Sequence, residues 1–296
     1  MAARARRQAV AGYVFLVPWF VGFIGLVLGP MVTSAYLAFT DYDLFTAAEW
    51  VGLDNFRTII TADHDFRQSM WVTIVYVVAS VPLRLLVALG LAIVLNRAMR
   101  GIGIYRAVMY LPSLLGGSVA IAILWRHLFG GEGVVNQFLG LFGIPGRNWI
   151  GSPDTALWTL VVLAIWQFGS PMIIFLAGLQ NIPSELGEAA EVDGASRGQR
   201  FLHVTLPLLT PMIFFNLVMQ SIVAFQAFTP AYIISNGSGG PVGSTLFYTL
   251  YIYQRAFTDF DMGYASALAW ILVAVIAVVT AVNFAGSRRW VHYSDR

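Results

Sequence analysis

Two sets of residues in this 296-residue chain have the types and spacing to do something chemical. The first is a polar stretch with Glu185, Glu188, Glu191, Asp193, Arg197 and Arg200, set between two long apolar runs. Joining two helices takes only about two to eight residues. A charged helix-turn of this size is therefore more than a connector, and its chemistry is that of a grip for something outside the apolar layer. The second set lies inside the apolar runs themselves. Arg84 sits near the middle of one, and Asn216, Gln220 and Gln226 share another with Phe225, Phe228 and Tyr232. A few placed polar groups among aromatic walls suit a small polar solute. The amides have a second reading, as hydrogen-bond links between helices.

Other chemistries lack their residues. The chain has no cysteine, which removes disulfides, thiolate metal sites and cysteine nucleophiles. His64, His127, His203 and His292 are scattered and form no HExxH pair. No catalytic and no metal-ligating set is predicted. All 17 basic residues are arginines, and a Walker A loop needs its lysine. ATP-driven work must then use a separate chain, and no cofactor is expected on this one. The net charge of +2 gives no reason to invoke nucleic acid.

The elements that must hold these residues are membrane spans. The chain is 58% hydrophobic and 11% charged, against about 25% charged in soluble domains. Six apolar segments, at about 12–38, 69–95, 106–129, 155–179, 206–235 and 263–286, each reach the roughly 20 residues a crossing helix needs. Backbone groups in lipid must be satisfied internally, so the spans are expected to be helices. Arg4, Arg6 and Arg7 precede the first segment as in a secretory signal, but an apolar run from Gly12 to Ala38 is longer than a signal core of about 7–15 residues. It is predicted to be a retained span.

With both termini in the cytoplasm, eleven arginines fall inside (Arg4, Arg6, Arg7, Arg97, Arg100, Arg106, Arg197, Arg200, Arg288, Arg289 and Arg296). Five fall outside: Arg57, Arg67, Arg126, Arg147 and Arg255. The positive-inside rule selects this orientation and puts the loop 181–205 in the cytoplasm. The predicted order is a cytoplasmic terminus 1–11, a first span 12–38, an outer loop 39–68, a five-helix core 69–286 with the first span on its flank, and a cytoplasmic end 287–296. Further outer loops are expected at 130–154 and 236–262, the latter opening on the turn-forming Gly237–Pro241 cluster.

Inside the 181–205 loop, Ser184 is positioned to cap a helix whose positive end would favour Glu185 and Glu188. Gly187 stands where a capping box needs Glu or Gln. Ala189 and Ala190 keep one helix side thin, and Gly194 permits a sharp turn. A second short helix is expected from about Arg197 to Val204, with Leu206-Pro207 opening the next span.

The spacing Glu188-Ala189-Ala190, three residues, Gly194, nine residues, Val204, one residue, Leu206-Pro207 resembles the EAA signature of permease subunits of binding-protein-dependent ABC importers. Val204 replaces that family's more usual isoleucine. Asp193-Gly194-Ala195-Ser196, the segment Val51–Phe56, Tyr110-Leu111-Pro112, Gly239-Gly240-Pro241 and Ala256-Phe257 followed by Gly263–Ala267 look like its MalF/UgpA-type carbohydrate branch. The likeness covers about residues 12–290.

The resemblance implies an all-α integral membrane protein of six transmembrane helices with the type I ABC importer permease fold, in a prokaryotic cytoplasmic membrane. It implies a coupling helix in the 181–205 loop, with Glu188, Ala189, Ala190, Asp193, Gly194, Ala195, Leu206 and Pro207 meeting an ATPase. Its implied partners are a second permease subunit, two ATPase subunits that bind ATP and Mg, an extracytoplasmic sugar-binding protein and membrane lipid. The substrate would be a carbohydrate on a pathway lined by the fifth span. Gln220 carries over from polar substrate contacts, joined by Asn216, Phe225, Gln226, Phe228, Tyr232 and Arg84. Ala224 and Ala227 are apolar where some relatives carry polar groups.

Several points stay open at this level. Arg84 has no acid within the spans to pair with, so it must meet carbonyls, water, a partner or substrate; snorkelling and a cavity role both fit. Gln167 and Asn136 are further polar candidates, and Gly25 with Gly29 forms a GxxxG pair suited to helix packing. An ion-coupled transporter or channel is the rival class, although such proteins usually place acids or histidines in their spans. A membrane enzyme is disfavoured by the missing catalytic set.

Overall fold

The computed structural model describes residues 2–97 and 100–291. His292 and Arg296 lie outside the described residues. Among the described residues, five helices are long and apolar enough to cross a membrane: Gly12–Leu37, His64–Leu95, Pro153–Gln180, Arg197–Ser235 and Met262–Ser287. The pair Ile102–Leu115 and Val119–Leu128, bent by 93°, makes a sixth when the two are taken as one broken span. The chain divides into two compact units, residues 1–63 with 252–272, and residues 64–251 with 273–296.

The first unit holds the first span, all of whose described residues from Gly12 to Met31 are partly or fully exposed. Gly25 and Gly29 are among them, and the turn between them, Ile24–Leu28, is a π-helix. Beyond the span, Thr40–Asp41 pairs antiparallel with Glu49–Trp50, with Thr40 opposite Trp50. The side-chain amide of Asn55 donates to the carbonyls of Ala38 and Thr40 at 3.1 and 2.9 Å. Gly263 donates its N–H to the Tyr42 carbonyl at 3.0 Å. A β-carbon at 263 would overlap the Thr40 carbonyl oxygen, so only glycine permits this approach. Two short segments far apart in sequence, Val51–Phe56 and Gly263–Ala267, thus belong to one joint. Beside it the buried Asp63 accepts from the Tyr264 hydroxyl at 2.5 Å, and burial pushes the Asp261 carboxyl up.

The second unit is built on the span His64–Leu95, which packs against both halves of Pro153–Gln180 and against Leu206–Phe225. Its inward face carries Val72, Tyr76, Leu85, Ala88 and Ala92, all buried. Ala88 and Ala92 are wholly inaccessible and allow close helix contact, the usual device where lipid gives helices no hydrophobic reason to associate. Phe175, Met172, Leu160, Leu163 and Leu209 fill the centre. Phe214 meets Phe284 edge-on at 4.9 Å.

Four expectations need correction. The segment 106–129 is not one straight crossing. Its helix stops at Leu115, passes Gly116-Gly117 and restarts at Val119, where Ser118 caps through an Ile121 N–H at 3.3 Å. The segment 155–179 runs Pro153–Gln180 but breaks at Gln167–Phe168. The separate helix ending at Val204 does not exist. The chain is helical from Arg197 into the fifth span, through a π-turn at Phe201–Thr205 that leads directly to Pro207. Wider turns of this kind absorb local strain in a helix, here next to a proline that donates no bond. Finally, Ser184 is the first helical residue rather than the cap. Pro183 holds the cap position, and no side chain bonds there.

Candidate functional site

The break in the fourth span follows from one residue. In a continuous helix the Gln167 carbonyl would accept from the N–H of residue 171, and residue 171 is proline, which has none. The orphaned carbonyl is then taken by side chains. Arg84 donates to it from Nε at 2.8 Å and from Nη2 at 2.5 Å, and Ser113 from Oγ at 2.8 Å. Ser113 Oγ in turn accepts from Ser170 N at 2.9 Å. Of the possible partners for Arg84, the structure thus supplies a carbonyl. A guanidinium that would be costly alone in a span is held by an unpaired backbone oxygen.

The fifth span repeats the device. Gln226 ends the helix Leu206–Phe225 as its C-cap, Pro230 follows four residues later, and a new helix Thr229–Ser235 begins. The two breaks read Gln167-Phe-Gly-Ser-Pro171 and Gln226-Ala-Phe-Thr-Pro230. Between them lies a cavity of about 300 Å³, walled by Arg84, Gln167, Gln220, Gln226, Phe228, Thr229 and Pro230 with Tyr76 and Ser80. No acid and no histidine lines it. Oε1 of Gln220 is buried with no hydrogen-bond partner among the described residues.

Of the predicted pathway residues, Arg84, Gln220, Gln226 and Phe228 come together on this wall. Asn216, Phe225 and Tyr232 do not line it. Asn216 is fully buried one turn from Gln220, and neither of its side-chain polar atoms has a partner among the described residues. Phe225 is buried in the core, while Tyr232 stands beside Phe228 with ring centres 5.3 Å apart. Asn136 holds a loop together instead. It donates to the carbonyls of Gly130, Gly131 and Arg147 and accepts from Arg147 N and Trp149 Nε1. Tyr76, Ser80 and Thr229 were missed from sequence. The first two lie eight and four residues before Arg84, on its helix face, so the periodicity carried that signal. The signal for Gln167 was the proline four residues on.

The acidic loop has a different character. No residue from 181 to 205 is buried. Its helix Ser184–Val192 carries Glu188, Ala189 and Ala190, and Asp193 is the C-cap. Gly194 then turns with φ +83°, a left-handed conformation that favours glycine. Ser196 and Gln199 form a complete capping box for the following helix. Arg200 reaches back to Glu191 at 2.5 Å. The turn borders an open hollow of about 340 Å³, lined by Ala190, Asp193, Gly194, Ala195, Gln199, Arg200, His203 and Val204. Glu188 and Ala189 lie on its exposed helix outside the hollow, and Leu206 and Pro207 are half-buried past it. Val192 is 88% exposed in this charged surrounding.

A bundle of apolar helices, two of them broken around a polar cavity, with one structured polar loop, is the build of a membrane permease. Residues 94–292 match the family described as binding-protein-dependent transport system inner membrane component. The chain belongs to that family and is a multi-pass helical membrane protein. It is similar to the probable ABC transporter permease protein YesP of Bacillus subtilis, with 55% identity covering 98% of this chain and 94% of that one. It is also 33% identical to the arabinooligosaccharides transport system permease protein AraP of the same organism, covering 93% and 88%. Its fold matches a chain from the crystal structure of a bacterial alginate ABC transporter in complex with an alginate pentasaccharide-bound periplasmic protein. There the TM-score is 0.78, with 23% identity, 97% of this chain and 96% of that chain covered.

Proposed function

We propose that this chain is one of two permease subunits in an ATP-driven importer that moves a sugar across the cytoplasmic membrane by alternating access. Both termini and the loop 181–205 face the cytoplasm in this reading, as the arginine distribution favours. Two ATPase subunits hold ATP and Mg, and one of them seats the helix Ser184–Val192 and the turn at Gly194. Their closure moves this loop, and the spans rearrange around the cavity at Gln167 and Gln226. A binding protein delivers the sugar from outside. Each partner acts only by favouring one of the two states. This subunit breaks no covalent bond.

The observation that carries the reading is the acidic loop. It is ordered by a left-handed glycine and a capping box, yet buries none of its residues, as expected of a surface whose partner is another chain. The naming of the 33% identical relative for arabinooligosaccharides supports a sugar as cargo. The alginate transporter that shares this fold was crystallised in complex with a sugar-loaded periplasmic protein, which supports the binding-protein partner. Ion-gradient coupling finds no acid or histidine in the cavity wall. The test is to delete residues 184–196 from the chain in its assembled importer. ATPase subunits should no longer co-purify, and uptake should cease while the chain stays in the membrane. Continued co-purification together with continued uptake refutes the reading.

A further inference from the structure

The cavity carries a charge that nothing in its wall cancels. Arg84 is its one formally charged lining residue, and the group it bonds, the Gln167 carbonyl, is neutral. Two of its three nitrogens are used on that carbonyl. Nη1 makes no hydrogen bond among the described residues. On the lining of the same cavity Gln220 offers an unpartnered amide oxygen, and Gln226 and Thr229 join it. In a half-open site with a half-buried guanidinium, an uncompensated positive charge attracts an anion more strongly than it would at a fully exposed surface. Nη1 and the second N–H of Nη2 form the remaining edge of the guanidinium, a pair of parallel donors that suits a carboxylate. The amide oxygen suits a hydroxyl, and the Phe228 ring suits an apolar sugar face.

We propose that the cavity selects a sugar bearing a carboxylate, a uronate, with the carboxylate on Arg84 Nη1 and a ring hydroxyl on Gln220. This rests on the importer reading and adds the charge class of its cargo. The gatekeeping residue is then Arg84. It serves twice, bracing the break in the fourth span through Nε and Nη2 and reading the substrate through Nη1. A volume of about 300 Å³ is at the lower end of small-molecule sites, so the ligand enters as a short saccharide.

The test uses the complete importer in proteoliposomes, with ATP inside. Uptake of digalacturonate and dimannuronate is compared with that of the neutral galactobiose and mannobiose. At least one acidic disaccharide should be carried in preference to its neutral counterpart. Arg84→Gln should lower the acid-to-neutral uptake ratio at least tenfold, and Arg84→Lys should hold it within about threefold of the parent. Gln220→Glu leaves the Arg84–Gln167 contact in place but sets a negative charge before the cavity. It too should lower the ratio at least tenfold, and it serves if Arg84→Gln fails to fold. Equal loss of acidic and neutral uptake in Arg84→Gln, with an unchanged ratio in Gln220→Glu, reduces Arg84 to a brace and overturns the proposal. Transport of neutral disaccharides alone overturns it as well. If none of the four is carried while ATPase subunits still co-purify, the uronate assignment falls and the importer reading survives. If the ATPase is also absent, both fall.

Discussion

The acidic loop and the cavity ask opposite things of their charged residues. In the loop, Glu188 and Asp193 face solvent and bond no other side chain among the described residues, and the backbone is shaped by Gly194 and the Ser196–Gln199 box. Those two charges are spare, available to something else. In the cavity, Arg84 is tied down by the structure itself, bonded to a carbonyl that Pro171 leaves unpaired. In the proposed importer one region is polar because a partner must find it, the other because a helix had to break. Surface charge can change with little effect on folding, whereas charge at a helix break is bound to the architecture. The loop should therefore fail by uncoupling and the cavity by altered geometry or selectivity.

The largest effect is expected at Gly194. Its φ of +83° lies outside the range proline can adopt, near −65°, and its N–H bonds the Glu191 carbonyl at 3.0 Å. Gly194→Pro should lower uptake at least about a hundredfold, equivalent to about 2.7 kcal/mol, with the chain still in the membrane. Glu188→Lys reverses a charge on the helix Ser184–Val192 that leads into this turn and should act alike. Uptake that survives both substitutions would erase the difference between the two regions, since the loop would then be a simple connector.

Next comes Pro171→Ala. Alanine restores the N–H that the Gln167 carbonyl lacks, and alanine is favoured over proline by about 3 kcal/mol in a helix interior. The fourth span should straighten and displace Arg84 and Ser113 from the carbonyl. Thermal stability should hold or rise while uptake falls about tenfold, equivalent to about 1.4 kcal/mol. A fall in both would mean that the break is a packing feature and not a functional shape.

How far each region could be read in advance follows from the same contrast. The loop is local: Glu188, Ala189, Ala190, Gly194, Leu206 and Pro207 lie within twenty residues of sequence, and their spacing is their meaning. What spacing could not show was the helix running unbroken from Arg197 into the span, because a π-turn at Phe201–Thr205 leaves no mark in a hydrophobic pattern. The cavity is non-local, assembled from Tyr76 to Arg84 on one span, Gln167 on another and Gln220 to Pro230 on a third. Arg84 and Gln220 stood out as polar residues in oil. The place where they meet did not, since it depends on which carbonyls lose their donors. The clue was two Gln-x-x-x-Pro quintets, a pattern with no hydrophobic period of its own. Phe225 lies off the cavity for a related reason: an aromatic beside a glutamine can face the core, and only the helix rotation decides.

A smaller effect is expected from Gln220→Leu. The buried Oε1 of Gln220 has no partner within the described chain, and such a group carries a desolvation penalty of about 1–3 kcal/mol. Replacing it with leucine should leave stability unchanged or slightly higher. A bond to substrate worth about 0.5–1.5 kcal/mol would be lost, which raises the half-saturating sugar concentration about twofold to tenfold. ATPase stimulation at saturating sugar should persist. An unchanged uptake profile would take Gln220 out of the cavity's function and leave it as helix glue.

The smallest effect sharpens the contrast most. Glu191 and Arg200 form the loop's own ion pair at 2.5 Å, with the carboxylate side chain 66% exposed and the guanidinium 25%. Exposed pairs of this kind contribute about 0–1 kcal/mol, because water screens them and two long side chains must be held still. Glu191→Gln should therefore shift the melting temperature by no more than a degree or two and change uptake less than about twofold. Arg200 would still donate to the Gly187 carbonyl at 3.4 Å, and the capping box would still hold the turn. Should this substitution destabilise the chain as much as a lost buried contact does, the loop is held by its charges after all. Its acids would then be part of the fold, as Arg84 is part of the cavity, and the case for an outside partner would rest on Gly194 alone.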